Sequence, residues 1–183
     1  MDARVRYTKK VVRETFFRLL NEKPVSKLTV KELCEEAGIN RATFYKYYAN
    51  PYDLMDKLEN ESLDYLQKQI EEIENCKLTD IFRVVLEDIL AQKEMYLVLM
   101  SENGDEPFKK RIFELCYQEN IKTIQDYFPD LSERKQQWLY YALAECCNGI
   151  LNQWIQGGME ESPEEVVAFV GPIIDAVNRA KLV

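Results

Sequence analysis

Residues 29–58 read TVKELCEEAGINRATFYKYYANPYDLMDKL, and the order of residue types in this stretch decides the fold. Thr29-Val30-Lys31-Glu32 is a capping-box pattern, in which a hydroxyl and a carboxylate satisfy the amides at a helix start. Val30, Leu33, Cys34 and Ala37 then recur at helical spacing, and Gly38 stands where a left-handed residue closes such a helix. Asn40 caps a further helix that opens at Arg41. Two short helices joined by Gly38-Ile39-Asn40 make a helix-turn-helix: a sharp turn, one aliphatic residue to bury in it, and a cap for the second helix. Asn50-Pro51, a cap followed by proline at the first helical position, starts another helix through Leu54, Leu58, Leu63, Leu66 and Ile70.

Working outward, Val12, Phe16, Leu19 and Leu20 fall at helical intervals, with Thr8 as the expected N-cap and Pro24 as the stop. After a break at Asn75 to Leu78, Ile81, Val84, Val85 and Ile89 predict a fifth helix. A sixth is expected over Glu94 to Ser101, and Glu102-Asn103-Gly104 reads as a loop. A long helix is expected from Asp105 to Phe128, ended by the Phe128-Pro129 step. Ser132 is the expected cap of the next, which carries Trp138, Leu139, Ala142, Leu143, Cys146 and Ile150 and stops at Gly157-Gly158. Ser162-Pro163-Glu164-Glu165 is a second capping box, opening a helix with Val166, Val170, Ile173, Ile174 and Val177 on one face and a kink expected at Pro172. No alternating run is bounded by hairpin signals, so the fold class is all-α, with about nine helices.

Composition narrows function. The 183 residues include 24 Lys+Arg against 32 Asp+Glu and no histidine, for a formal charge of −8, with 46% hydrophobic and 31% charged residues. That is the balance of a globular chain with a real core. The five cysteines, Cys34, Cys76, Cys116, Cys146 and Cys147, show no CxxC spacing, and without histidine no mixed zinc site can be completed. A reduced, cytoplasmic compartment fits them, and Cys146-Cys147 reads as small helix residues rather than an oxidant sensor. Lack of histidine also removes Ser-His-Asp and Cys-His catalysis and the HExxH motif, and no convergent set of carboxylates takes their place. The chain is not expected to be an enzyme, nor to carry a cofactor or metal. No apolar stretch approaches the ~18 to 20 residues of a membrane span, and MDARVRYTKK lacks the apolar core of a signal peptide.

The charge is unevenly placed. Residues 1–57 hold 12 Lys+Arg and 8 Asp+Glu, net +4, and residues 58–183 hold 12 and 24, net −12. A basic head on an acidic body points to a polyanion that meets the head alone. The helix opening at Arg41 sorts its residues accordingly. Phe44 and Tyr48 face inward with Ile39, while Arg41, Ala42, Thr43, Tyr45, Lys46 and Tyr47 form an outer surface for a DNA major groove. Arg41 can pair with guanine O6 and N7, Ala42 and the Thr43 methyl can touch a thymine methyl, and Lys46 can reach a base or phosphate. Tyr45, Tyr47 and the Thr29 hydroxyl can hold phosphates.

These residues resemble the DNA-binding head of the TetR/AcrR transcriptional regulators, whose pattern is T-x-x-x-[IL]-[AC]-x-x-[AL]-G-[IV] followed by x-x-x-T-[FL]-Y-x-[HY]-F. The likeness extends back through RYTKKVVRETFFRLL and covers about the first third of the chain. It implies that Thr29, Lys31, Arg41, Ala42, Thr43, Tyr45, Lys46 and Tyr47 meet DNA. It further implies a three-helix head over residues 1–50 and an effector-binding and dimerisation body over 51–183. The two final helices would bundle with those of a second copy, aided by the small residues Ala142, Ala144, Cys146, Cys147 and Gly149. One departure is Pro51, where the family often places a phosphate-binding lysine; that contact is either lost or replaced by amides at the start of the fourth helix.

The expected protein is a ligand-responsive repressor that binds a palindromic double-stranded DNA operator as a homodimer. The effector, a small molecule of unknown identity, would meet an apolar pocket drawn from Phe82, Met95, Tyr96, Met100, Phe113, Tyr117, Trp138 and Tyr141. The body's −12 charge favours a neutral or cationic ligand. The alternative is a helical interaction protein of the same fold that binds a protein partner instead of an operator.

Overall fold

The computed structural model describes residues 3–73, 77–99 and 106–179. Among these residues the chain forms nine α-helices, a single 3₁₀ turn at Val25–Lys27 and no strand. The helices are α1 Ala3–Glu22, α2 Val30–Glu36, α3 Arg41–Tyr45, α4 Pro51–Glu71, α5 Leu78–Ala91, α6 Lys93–Leu99, α7 Glu106–Tyr127, α8 Glu133–Gln156 and α9 Pro163–Asn178. Residues 102–104 and Met100, assigned above to a loop and to the pocket, lie outside the described residues, as does Cys76. No described helix is long and apolar enough to cross a membrane.

Two compact units emerge. The first is Met1–Glu61 with Glu94–Asp105, and the second is Ser62–Lys93 with Glu106–Val183. In the first unit Phe16, Leu33, Phe44 and Leu54 are essentially inaccessible and bring α1 to α4 onto one core. Met95, Tyr96, Val98 and Leu99 of α6 are buried as well, and the Arg13 guanidinium donates to the Met95 sulfur at 3.6 Å. Thr8 is not the cap of α1. The helix already runs from Ala3, and the Thr8 hydroxyl donates back to the Arg4 carbonyl at 2.9 Å. Nothing in Ala3 to Tyr7 breaks a helix, so the α-helical pattern continues past the hydroxyl.

The second unit packs α5 on α9 and α7 on α8 around Leu86, Ile89, Phe108, Tyr140, Trp154 and Val170. A buried polar group lies in it: the Ser62 hydroxyl donates to Asp88 at 3.1 Å, and the Gln92 amide donates to the other Asp88 oxygen at 2.7 Å. The turn into α9 puts Gly158 at φ 89° and Met159 at φ 59°, and the Trp154 indole N–H donates to the Glu161 carbonyl at 2.9 Å. Ser162 and Glu165 form the expected reciprocal capping box, whereas the Ser132 side chain makes no capping hydrogen bond. The α9 helix passes through Pro172, which is exposed.

Candidate nucleic-acid interface

The turn between α2 and α3 is set by one backbone conformation. Gly38 has φ 64°, Ile39 N donates to Cys34 O at 3.0 Å, and Gly38 N donates to Glu35 O at 3.3 Å. This is the Schellman pairing that closes a helix through a left-handed residue. Caps fix both helix starts: Thr29 Oγ1 accepts from Glu32 N at 3.2 Å, and Asn40 Oδ1 accepts from Ala42 N at 2.8 Å. Ion pairs Arg18–Glu36, at 2.7 Å, and Lys23–Glu32 tie α2 to the end of α1.

Phe44 and Tyr48 are buried, with ring centroids 5.4 Å apart, and Ile39 is half-buried behind them. Burial pushes the Tyr48 phenol up to about 12, so it stays neutral and apolar in character. Burial likewise raises the Cys34 thiol, keeping this core cysteine inert. On the opposite side Arg41, Ala42, Tyr45 and Lys46 are exposed, Tyr45 by 56%, and Thr43 and Tyr47 are half-buried. Thr29 and Lys31 are exposed at the start of α2. Lys31 reaches Glu35 at 3.9 Å, whereas neither Arg41 nor Lys46 forms an ion pair among the described residues. The α3 helix ends at Tyr45, and Tyr47 N and Tyr48 N both donate to Phe44 O in the turn that follows it. Lys46 keeps helical angles, φ −65° and ψ −26°, and so remains on the exposed side.

One residue here escaped the reading of the sequence. Lys57 Nζ donates to the Tyr47 carbonyl at 2.8 Å and to Asp53 Oδ2 at 2.9 Å. Asp53 Oδ2 also accepts from Ala49 N at 2.7 Å, and Asn50 Oδ1 caps α4 through Asp53 N at 3.0 Å. The Lys57 hydrogen bond, then the Ala49 amide, hold the Asp53 carboxyl below its ordinary value. The legible signal was the i, i+4 spacing of Asp53 and Lys57 on α4.

Comparison with known proteins agrees over both units. Residues 14–58 match the family of bacterial regulatory proteins of the tetR family, and residues 76–176, over half of the chain, match the transcriptional regulator C-terminal region. The chain belongs to the TetR/AcrR family of transcriptional regulators. It is a DNA-binding regulator by family. A transcriptional regulator from Aquifex aeolicus VF5 superposes with a TM-score of 0.68 at 18% identity, covering 93% of this chain and 99% of that one. A TetR transcriptional regulator from Streptococcus agalactiae 2603V gives 0.64 at 20% identity over 94% and 96%. The dihydroxyacetone kinase operon activator DhaS gives 0.63 at 16% identity over 94% and 96%. No match is found among curated protein sequences. At these identities the superpositions speak for the fold alone.

Of the residues expected at an effector pocket, Phe82, Phe113, Tyr117, Trp138 and Tyr141 belong to the second unit and Met95 and Tyr96 to the first. Phe113, Tyr117 and Tyr141 come together on α7 and α8, with Phe113 stacked on Tyr141 at 5.5 Å and Tyr117 edge-on to Tyr140 at 4.8 Å. Phe82 is buried in the same unit, while Met95 and Tyr96 are buried in the first unit. Trp138 is 58% exposed, with Arg134 over its ring at 5.1 Å. A different concavity is present, a groove of about 860 Å³ lined by α8, α9 and the turn between them. Gly149, Ile150, Trp154, Val166 and Phe169 give it apolar walls, Glu145, Glu160, Glu161 and Glu165 give it acidic ones, and none of the seven expected pocket residues that are described lines it. Phe169 is 67% exposed at its edge, and Ile173, one turn on, is 39% exposed.

Proposed function

We propose that this regulator represses transcription by occupying a palindromic operator as a homodimer, and that a small molecule releases it. The observation that carries this is the sorting of α3: Phe44 and Tyr48 buried, Arg41, Ala42, Tyr45 and Lys46 exposed, and the two cations without an ion pair among the described residues. A guanidinium and an ammonium left available on one face of a capped helix suit base edges and phosphates. Thr29, Lys31, Thr43 and Tyr47 complete the proposed contact set around Arg41, Ala42, Tyr45 and Lys46. Repression by occlusion asks nothing of the protein beyond this surface.

The proposed second copy sits on the α8–α9 face. Trp138, Tyr141, Ala142, Cys146 and Gly149 fall on the exposed side of α8, and Phe169 and Ile173 on that of α9. Two copies joined there carry two recognition helices, which must enter successive major grooves about 34–36 Å apart. An effector acts by binding better to a state whose heads are wrongly spaced, with α4 as the transmitting helix. Support for an effector site in the body comes from the Phe113 and Tyr117 rings, both stacked on Tyr141. Such a protein works in the cytoplasm, where DNA is met.

The test uses a duplex selected by the wild-type protein from a random-sequence pool. Arg41→Ala is expected to cost about 1–3 kcal/mol and relax preference at a single position, and Lys46→Ala to weaken binding and reduce the salt dependence if it meets phosphate. Indifference of binding to both substitutions refutes the proposal and favours an interaction protein of the same fold.

A further inference from the structure

We propose that Lys57 is a positioning residue for DNA recognition, fixing the exit of the recognition helix α3 against the first turns of α4. This rests on the reading of α3 as the DNA-reading helix. Lys46 continues the helical angles of α3, but residues 47–49 after it form no helix, so α3 alone does not determine where Tyr47 leads relative to α4. Five links supply that constraint. The Lys57 ammonium holds the Tyr47 carbonyl at 2.8 Å and Asp53 Oδ2 at 2.9 Å, the same oxygen holds Ala49 N at 2.7 Å, and Asn50 Oδ1 holds Asp53 N at 3.0 Å. The fifth is the ring of Tyr48, whose centroid lies 5.6 Å from the ammonium and which is itself packed on Phe44.

The chemistry suits an ammonium. Carbonyls at a helix exit lack intrahelical donors and carry partial negative charge, and Lys supplies three donors from one point. Here one donor takes the carbonyl, one takes the carboxylate, and the positive charge rests over a ring face. Lys57 and Asp53 belong to α4, and Tyr47 and Ala49 to the segment leaving α3, so a rotation of α4 pulls directly on the backbone next to the proposed DNA contacts Lys46 and Tyr47. The joint is partly open to solvent, with the Lys57 side chain 49% and Asp53 31% exposed. Its contribution to overall stability is therefore small, as for other exposed ion pairs. Its effect falls on geometry.

The experiment measures affinity for the selected duplex and for an unrelated duplex across a series of potassium chloride concentrations. Wild type, Lys57→Met, Lys57→Arg and Asp53→Asn are compared, together with their melting temperatures. For a positioning role, Lys57→Met and Asp53→Asn lower affinity for the selected duplex by about tenfold, the scale of one charge-assisted hydrogen bond. Affinity for the unrelated duplex stays within about twofold, the salt slope for Lys57→Met matches wild type, and Lys57→Arg restores part of the loss. A salt slope reduced by about 0.9 per head shows a phosphate ligand instead and overturns the proposal. A lower melting temperature with an unchanged ratio of selected to unrelated affinity shows a purely structural pair and also overturns it. If Arg41→Ala and Lys46→Ala are themselves without effect, the reading of α3 fails first, and that failure is separable from one confined to Lys57.

Discussion

Replacing Phe169 by alanine probes the proposed dimer most directly. Phe169 is 67% exposed in the protomer, beside the α8–α9 groove. Fully burying a phenylalanine side chain contributes ~1.5–3 kcal/mol, so covering the exposed two thirds contributes about 1–2 kcal/mol per copy. In a two-fold interface the same residue counts twice, giving about 2–4 kcal/mol. At 1.4 kcal/mol per decade, Phe169→Ala weakens dimerisation by about 30- to 700-fold. Alanine is the stronger helix former, so α9 itself is not weakened by the change. The assay is sedimentation equilibrium over a concentration series, with binding of the selected duplex followed alongside. Loss of dimer converts the second head's binding from an intramolecular to a bimolecular event, so DNA affinity falls with it. Tyr127→Ala is the control, because Tyr127 is 50% exposed but lies at the end of α7 and does not line the groove. A dimerisation constant for Phe169→Ala within about threefold of wild type, or an equal loss with Tyr127→Ala, refutes the placement of the second copy.

At Gly38, φ is 64° and an added Cβ meets no atom within 4 Å, so substitution is penalised by the backbone alone. Gly38→Ala is expected to cost ~1–2 kcal/mol and Gly38→Asn less; equal melting temperatures for Gly38→Ala and wild type contradict the left-handed turn. Asp53, whose folded-state carboxyl is held below its ordinary value, contributes stability that is present above pH ~4–5 and lost as pH falls through the lowered value. In Asp53→Asn that acid-side component disappears, and an acid titration of the melting temperature that matches wild type argues against the Lys57 pairing. Burial pushes the Cys147 thiol up to about 12, while Cys146 is exposed and lines the groove. Iodoacetamide is expected to label Cys146 before Cys147, and more slowly as protein concentration rises and the second copy covers it; labelling of Cys146 that ignores concentration speaks against that cover.

The local features of the head were legible because each depends on a few adjacent residues. The Thr29 and Asn40 caps, the left-handed Gly38 and the burial of Phe44 and Tyr48 follow from residue chemistry and a 3.6-residue period, and the structure reproduces them. Thr8 shows the limit of the same reasoning. A good cap residue in a stretch that has no helix breaker is simply absorbed into a longer helix. Aromatic and thioether candidates for a pocket are recognisable in the sequence, whereas the compact unit that each joins is not: Met95 and Tyr96 belong to the first and Phe113, Tyr117 and Tyr141 to the second.

The sequence by itself determined the helix content, the turn chemistry, the sign of charge on the head and the family, all of which are written in neighbours within about four residues or in a contiguous motif. Only the tertiary structure decided that α6 shares a core with the head, that Trp138 of α8 is left uncovered and Phe169 of α9 uncovered at an acidic-walled groove, and that Lys57 reaches ten residues back to the Tyr47 carbonyl. Those outcomes depend on which faces of separate helices meet, and helical periodicity specifies that a face is apolar without specifying what it packs against.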